Sequence, residues 1–219
     1  MSMIKALRTL AAIENGTLNA AQLETQVAGS QARKDEISQL MSVKSLHERI
    51  ASSRTAMDAL AGSAAAWAEI AAHWYFVTFL AKCVESVNAK MAIYNSDTAL
   101  NSISASPAAM AAMRAASKYA VTSATAANGA SSVSLSSKIS GSANIVLGVS
   151  HESTAAAYNY TMSTKRSGSA VSATVTSGTT INALGKDVDC AIPITSAYSF
   201  TSQSGNTYTS YFGVLRCDI

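Results

Sequence analysis

Ser53-Arg54-Thr55-Ala56-Met57-Asp58-Ala59-Leu60 returns 43 residues later as Ser96-Asp97-Thr98-Ala99-Leu100-Asn101-Ser102-Ile103, and the match continues at the same offset. Ser63-Ala64-Ala65-Ala66-Trp67-Ala68-Glu69-Ile70 reappears as Ser106-Pro107-Ala108-Ala109-Met110-Ala111-Ala112-Met113. A unit of about ten residues therefore occurs twice in tandem, and the tandem occurs twice. Serine is a preferred N-cap because its hydroxyl oxygen accepts an orphan N–H of the first helical turn. Pro107 falls at the first helical position, where its missing N–H costs nothing. Two apolar residues three apart then share one helix face: Met57 with Leu60, Trp67 with Ile70, Leu100 with Ile103, and Met110 with Met113. Such units either run together as one long helix or break at each serine into a staircase, and Gly62 and Pro107 favour breaks. Repeats of this kind cannot bury their apolar side alone and must stack on neighbours.

Upstream, Ile4, Leu7, Leu10, Ala11 and Ile13 predict a first helix over residues 2–14, ended by Asn15-Gly16. Thr17 is placed to cap a second helix through Leu18, Ala21, Leu23 and Val27, closed by Gly29. A third is expected from Gln31 to Ala51 through Ile37, Leu40, Met41, Leu46 and Ile50. The most apolar window, Trp74-Tyr75-Phe76-Val77-Thr78-Phe79-Leu80-Ala81, lies between Glu69 and His73 on one side and Lys82 and Glu85 on the other. It is too short to span a bilayer, which takes about 20 apolar residues, so it reads as a helix buried on all sides rather than a membrane insertion.

Downstream the composition changes to Ser, Thr, Ala and Gly. Residues 123–132 read as a small-residue linker, and after them the apolar period becomes two, at Val133, Leu135 and Ile139, at Ile145, Leu147 and Val149, and at Val171, Ala173 and Val175. Turn signals at Gly141-Ser142, Gly168, Ser177-Gly178, Gly185-Lys186-Asp187 and Gly205-Asn206 separate these runs. Pro193 marks an edge strand, since proline cannot donate to a ladder. The expected fold class is α+β: an α-helical region over 1–122 with short Ser-capped repeats, the linker, and an antiparallel β-sandwich or jelly roll over 133–219.

The chain carries 48% apolar residues but only 6% aromatic ones. Alanine supplies much of the difference and buries little area per residue, so close helix contact or assembly between copies is expected. A net charge of +3 with 13% charged residues gives no basic patch, and Arg33-Lys34 is neutralised at once by Asp35-Glu36, so nucleic acid is not an expected partner. Lys5 and Arg8 interrupt the first apolar stretch, which leaves no signal peptide and predicts synthesis in a cytoplasm. Asn15-Gly16-Thr17 and Asn159-Tyr160-Thr161 then match the glycosylation pattern by accident. Cys83, Cys190 and Cys217 form no C-x-x-C pair and read as reduced, mostly buried thiols, with a bridge between copies left open.

Catalysis needs convergent titratable groups. His47-Glu48 lacks the second histidine of a zinc helix, His73 beside Trp74-Tyr75 reads as a packed histidine, His151 as a strand end, and Gly185-Lys186-Asp187 as a turn rather than a phosphate loop. No enzymatic role, metal or cofactor is expected. Candidate assembly residues are the four apolar pairs together with Trp74 and Phe76. Tyr158, Tyr160, Tyr198, Tyr208 and Tyr211 cluster late in the chain. They either form a recognition face, for which Tyr158, Tyr160, Asn206 and Tyr208 are the candidates, or fill a sandwich core.

The tandem units Ser53-Arg54-Thr55-Ala56-Met57, Ser63-Ala64-Ala65-Ala66-Trp67 and Ser106-Pro107-Ala108-Ala109-Met110 follow the opening Gly16-Thr17-Leu18-Asn19-Ala20-Ala21-Gln22-Leu23. Together they resemble virion structural proteins of tailed bacteriophages of the tail-fibre-like or appendage kind, over roughly the first half of the chain. The ending Tyr211-Phe212-Gly213-Val214-Leu215-Arg216-Cys217-Asp218-Ile219 is similar to the closing strand of such proteins. The resemblance implies a multi-copy virion component, a trimer by expectation. Its helical half docks on other virion proteins, its β half projects outward, and no catalytic residues carry over. Too few units are present for a long shaft, which favours a compact appendage at the neck, baseplate or capsid surface. The alternative is a host-recognition module binding a cell-surface glycan.

Overall fold

The computed structural model describes residues 3–126, 140–152, 158–163, 170–175, 188–194 and 208–219. The chain divides into two compact units, Met1–Ser117 and Lys118–Ile219. The first is all helix: α1 (Met3–Glu14), α2 (Ala20–Gly29), α3 (Gln31–Met41), α4 (Lys44–Ser52), α5 (Arg54–Gly62), α6 (Ala64–Ala72), α7 (Phe76–Cys83), α8 (Val87–Tyr94), α9 (Asp97–Ser104) and α10 (Pro107–Arg114).

The repeat is a staircase of short helices, each opened by its serine. Ser30, Ser53, Ser63, Ser86, Ser96 and Ser106 are all N-caps in the extended region, and each hydroxyl oxygen accepts the N–H three residues on. Ser30, Ser53 and Ser63 also cap the helix before, so there a single extended residue turns the chain from one helix into the next. From α2 to α7 each helix packs against the third one after it: α2 on α5, α3 on α6, α4 on α7, α5 on α8, α6 on α9 and α7 on α10. The sequence offset of 43 spans four helices, so it relates like corners and not like positions in the stack.

The same serines tie successive levels together. Ser86 Oγ accepts from Ala89 N–H at 3.3 Å and donates to Ala51 O at 2.6 Å, 35 residues earlier, while Asn88 Nδ2 reaches Ser52 O. Ser96 Oγ accepts from Ala99 N–H and donates to Ala61 O in the same way. Glu24 supports another corner from outside, accepting from Ser63 Oγ and from Ala65 N–H, both at 2.8 Å. Those hydrogen bonds hold its carboxyl below the usual range, the backbone one most strongly.

Three helix boundaries differ from expectation. Thr17 points backward, its hydroxyl donating to Ala12 O at 3.1 Å to finish α1, with Gly16 in the left-handed region at φ 78°. Asn19 caps α2 instead, in a reciprocal capping box with Gln22. The single helix expected over 31–51 is broken at Ser42-Val43. His47 Nε2 donates to Met41 O at 2.8 Å, satisfying a carbonyl that the break leaves without a helical partner. The helix expected over 74–81 starts at Phe76, and it is not buried on all sides: Trp74 and Val77 are 75% and 38% exposed.

The second unit contains β1 (Tyr119–Ala126), β2 (Asn144–Glu152), β3 (Tyr158–Ser163), β4 (Ala170–Val175), β5 (Val188–Ile194) and β6 (Tyr208–Arg216). Residues 119–122, assigned above to the helical region, and 123–126, assigned to the linker, thus belong to β1. Four strands form an antiparallel sheet in the order β1-β6-β2-β5, and β3 pairs with β4. Pro193 lies on β5, the outer strand of its sheet among the described residues. The strand expected around Val133, Leu135 and Ile139 lies outside the described residues, as do Gly168, Ser177-Gly178, Gly185-Lys186-Asp187 and Gly205-Asn206.

On β2 the expected in-out alternation fails. Ile145, Val146, Leu147 and Val149 are all buried, and the register shifts between Val146 and Gly148, so the strand is covered on both faces around a bulge. On β6, a Cβ at Gly213 would fall against the ring of Tyr119, which β1 lays across that glycine.

Because Ser96 must accept and donate at once, Ser96→Ala is expected to destabilise the chain by about 2–3 kcal/mol, a lost cap plus an orphaned carbonyl. Ser96→Asp keeps the acceptor but sets a carboxylate against Ala61 O, so it is also destabilising. Ser106→Asp, whose hydroxyl acts only as a cap, stays within about 0.5 kcal/mol of wild type. Urea unfolding followed by circular dichroism measures all three; equal effects of the two aspartates would contradict the stitching role.

Candidate functional site

Of the proposed assembly residues, Met57, Leu60, Trp67, Ile70, Leu100, Ile103, Met110 and Met113 are buried at 2% exposure or less, and Phe76 is also buried. The spacing that singled them out is that of an inward face, and the stacking of helices consumes it. Trp67 meets Phe76 edge to face at 6.1 Å. Buried alanines such as Ala56, Ala66, Ala89, Ala99 and Ala109 sit directly behind the caps and let the helices approach closely. Trp74 is the exception, and it occupies a connector that, like the one at Val43, has no side-chain cap.

That connector, His73-Trp74-Tyr75, is held from several sides. His73, only 6% exposed, accepts the Tyr75 N–H at Nδ1 (3.1 Å) and meets Ser42 Oγ with Nε2 (3.1 Å). With Nδ1 an acceptor, Nε2 carries the proton and donates to Ser42, whose own hydroxyl donates to Ser38 O at 3.1 Å. Burial lowers the His73 pKa, and the nearby His47 lowers it further. Lys44 Nζ sits 4.6 Å above the Tyr75 ring, and His47 packs edge-on against Tyr75 and Phe79. Trp74 stacks on His73 with centroids 4.2 Å apart and leaves its outer face in solvent. An exposed tryptophan on a fixed support offers a large contact area at little entropic cost, the character of an interface anchor.

The recognition candidates among the described residues fall on two different sheets. Tyr158 and Tyr160 lie on β3, opposite Val175 and Ala173, and Tyr208 opens β6 opposite Ala126. Asn206 lies outside the described residues, as does Tyr198. Tyr211 is half-buried on β6. Cys83 is buried in the helical unit, where desolvation raises its thiol pKa, and Cys217 is buried on the sheet side with Cys190 half-buried. Among the described residues no cluster of His, Cys, Asp and Glu could hold a metal ion, and no helix is long and apolar enough to cross a membrane.

One feature of the β unit had no sequence signal. A cavity of about 220 Å³ opens on one face of the β1-β6-β2 sheet, with Asn144 and Val214 on its lining. Asn144 is fully buried, and neither its carboxamide nitrogen nor its oxygen has a partner among the described residues. The groups around it include Arg216, which donates from Nε to Asp218 Oδ1 at 2.7 Å and from Nη1 to Ser140 Oγ at 3.0 Å. For Asp218, burial is the largest influence and opposes ionisation, but Arg216 and the Ser142 N–H together outweigh it and lower the pKa.

No model of a known protein family matches the sequence, and no characterised protein matches it.

The depressed His73 pKa has a definite consequence. A histidine near 6.5 in the unfolded chain takes up its proton before the folded one does, so stability holds above about pH 6.5 and falls on acidification below it. Glu24 and Asp218, both lowered in the fold, contribute a separate loss only below about pH 4.5. The thermal midpoint is expected to drop between pH 7 and 5.5, and His73→Asn to flatten that interval while leaving the lower one. An unchanged slope would remove His73 as its source.

Proposed function

We propose that the chain is a structural component of a tailed-phage virion, an appendage at the neck, baseplate, fibre or capsid surface. In this reading it assembles as a homotrimer, docks on other virion proteins through its helical half, and projects a β domain of sandwich type. The observation that carries the reading is the Ser-capped helical unit itself: Ser53, Ser63 and Ser106, whose segments bear the resemblance, each open a helix of a stacked staircase. Such a stack presents a stiff surface assembled from short, closely packed helices, a form suited to a scaffold role.

Docking is assigned to the connector around Trp74, because the other apolar positions of the repeat are used inside the chain. Glu48 and Lys82 pair at 3.4 Å between α4, which carries Lys44 and His47, and α7, which begins directly after the aromatic corner. A polar rim near an aromatic anchor is the usual anatomy of an interface.

Mass spectrometry and cryo-microscopy of purified virions test the proposal: the chain is expected in intact particles, in multiple copies, with its helical half against neighbouring proteins. Its absence from particles would end this reading. Trp74→Ala is expected to leave circular dichroism and thermal midpoint close to wild type while reducing incorporation into particles at least tenfold. Normal incorporation would move docking elsewhere.

A further inference from the structure

We propose that the cavity on the β1-β6-β2 face binds a small carboxylate-bearing, hydroxyl-rich molecule about the size of one sugar ring, such as a sugar acid. The site belongs to residues of the β unit alone, so it does not depend on whether the chain is a virion component.

The site is built around Asn144. Its place opposite Arg216 and Ile194 in the register puts its side chain on the same sheet face as Val146, Val214 and Ile192, all buried and apolar. A leucine or valine there would continue that surface. The chain instead holds a carboxamide, fully buried, with an unused donor and an unused acceptor. Burying a polar group without partners is costly, and the residue that bears this one lines the cavity.

The rest of the lining states what would satisfy it. Lys118 stands exposed at the rim, with no acidic partner among the described residues. Arg216 uses two of its five N–H donors on Asp218 and Ser140, and these bonds fix the guanidinium while leaving the others available. Gly141, at φ 89°, keeps that arrangement open: a Cβ there would sit 2.6 Å from Arg216 Nε and from both Asp218 carboxylate oxygens. Lys118, together with the spare N–H donors of Arg216, whose charge Asp218 balances, matches a carboxylate next to a hydroxyl, because these donors take the negative oxygens and the amide takes one donor and one acceptor. Ala120, Val214 and Ile219 supply apolar contact for a ring face. At about 220 Å³ the space is below the ~300–1,000 Å³ typical of drug-sized sites, so a single ring is the fitting size.

Titration of the full chain with sodium galacturonate, sodium glucuronate and N-acetylneuraminate, followed by amide chemical shifts, tests the site, with galactose as the neutral control. At least one acid is expected to saturate with a dissociation constant around 1 mM, shifting amides around Lys118, Asn144 and Arg216, and galactose to bind at least tenfold more weakly. Lys118→Gln reduces the preference for acid over neutral sugar. Asn144→Leu, which removes the carboxamide without shrinking the side chain, weakens binding at least tenfold while the thermal midpoint stays level or rises. The proposal is overturned if no acid saturates below ~50 mM or if Asn144→Leu binds as wild type. It is equally overturned if Asn144→Leu lowers the thermal midpoint by several degrees, which would show the carboxamide to be satisfied within the fold.

Discussion

The architecture of the helical unit depends on a serine hydroxyl used twice. At Ser86 and Ser96 the oxygen accepts an N–H of the helix it opens and its hydrogen goes to a carbonyl near the end of a much earlier helix. Both helix ends would otherwise hold orphan polar groups, and in a unit of eight- to twelve-residue helices such ends are numerous. Aspartate could cap but not donate, and alanine could do neither. Joining the N-terminus of one helix to the C-terminus of another with one atom makes short helices tolerable, although isolated helices of this length would be marginal. Tertiary contact supplies what helix length does not.

Once corners recur every ten residues or so, the composition follows. Each helix offers one to three large apolar side chains to the core, and behind Ser53, Ser63, Ser86, Ser96 and Ser106 the residue that receives the cap is alanine, which lets neighbouring helices approach. Gly62 is the tightest instance: an added Cβ would meet the Ala20 side chain at 3.0 Å. The chain is therefore rich in alanine without requiring partner subunits to bury it. α7 departs from this pattern, beginning after Tyr75 with no side-chain cap. The His73-Ser42-Ser38 hydrogen-bond chain supports that connector instead, and it is there that a large aromatic faces solvent. α4 also opens without a side-chain cap, at Val43, so what sets the α7 corner apart is the exposed tryptophan on it.

The caps and their spacing made the staircase readable from Ser53, Ser63, Ser96 and Ser106, and period-two patterning located β2 and β4. What escaped was set by partners distant in sequence. Thr17 could cap forward or backward, and Asn19 with its matching Gln22 decided it. The break at Ser42-Val43 lies in a stretch with good helical periodicity, and its stabilising contact comes from the side chain of His47. Tyr119 to Ala126 has the small-residue composition of a linker, yet every residue of it pairs with β6. The assembly candidates were identified by an apolar spacing that marks a buried face without saying whether the same chain or another covers it.

The cavity in the β unit was least accessible of all, because Asn144 is unremarked in sequence among Ala143, Ile145, Val146 and Leu147. Its meaning comes from comparison with the other buried polar groups. Glu36 is taken by Thr9 Oγ1 and Arg33, both at 2.7 Å, Ser63 by Glu24, and Ser96 by Ala61. Trp67 Nε1 and His47 Nδ1 lack partners too, but each is one atom of a ring whose faces pack against Phe76 or Phe79. Those rings compensate one unmet hydrogen bond with extensive apolar burial. Asn144 has no such compensation, since its side chain is almost entirely the polar group. Among the described residues Asn144 is the one whose side chain has both its donor and its acceptor buried without a partner, and it lines a cavity that a lysine and a fixed arginine also line. Packing alone would favour an apolar residue at that position, and the proposed ligand would supply the partners that the asparagine lacks within the fold.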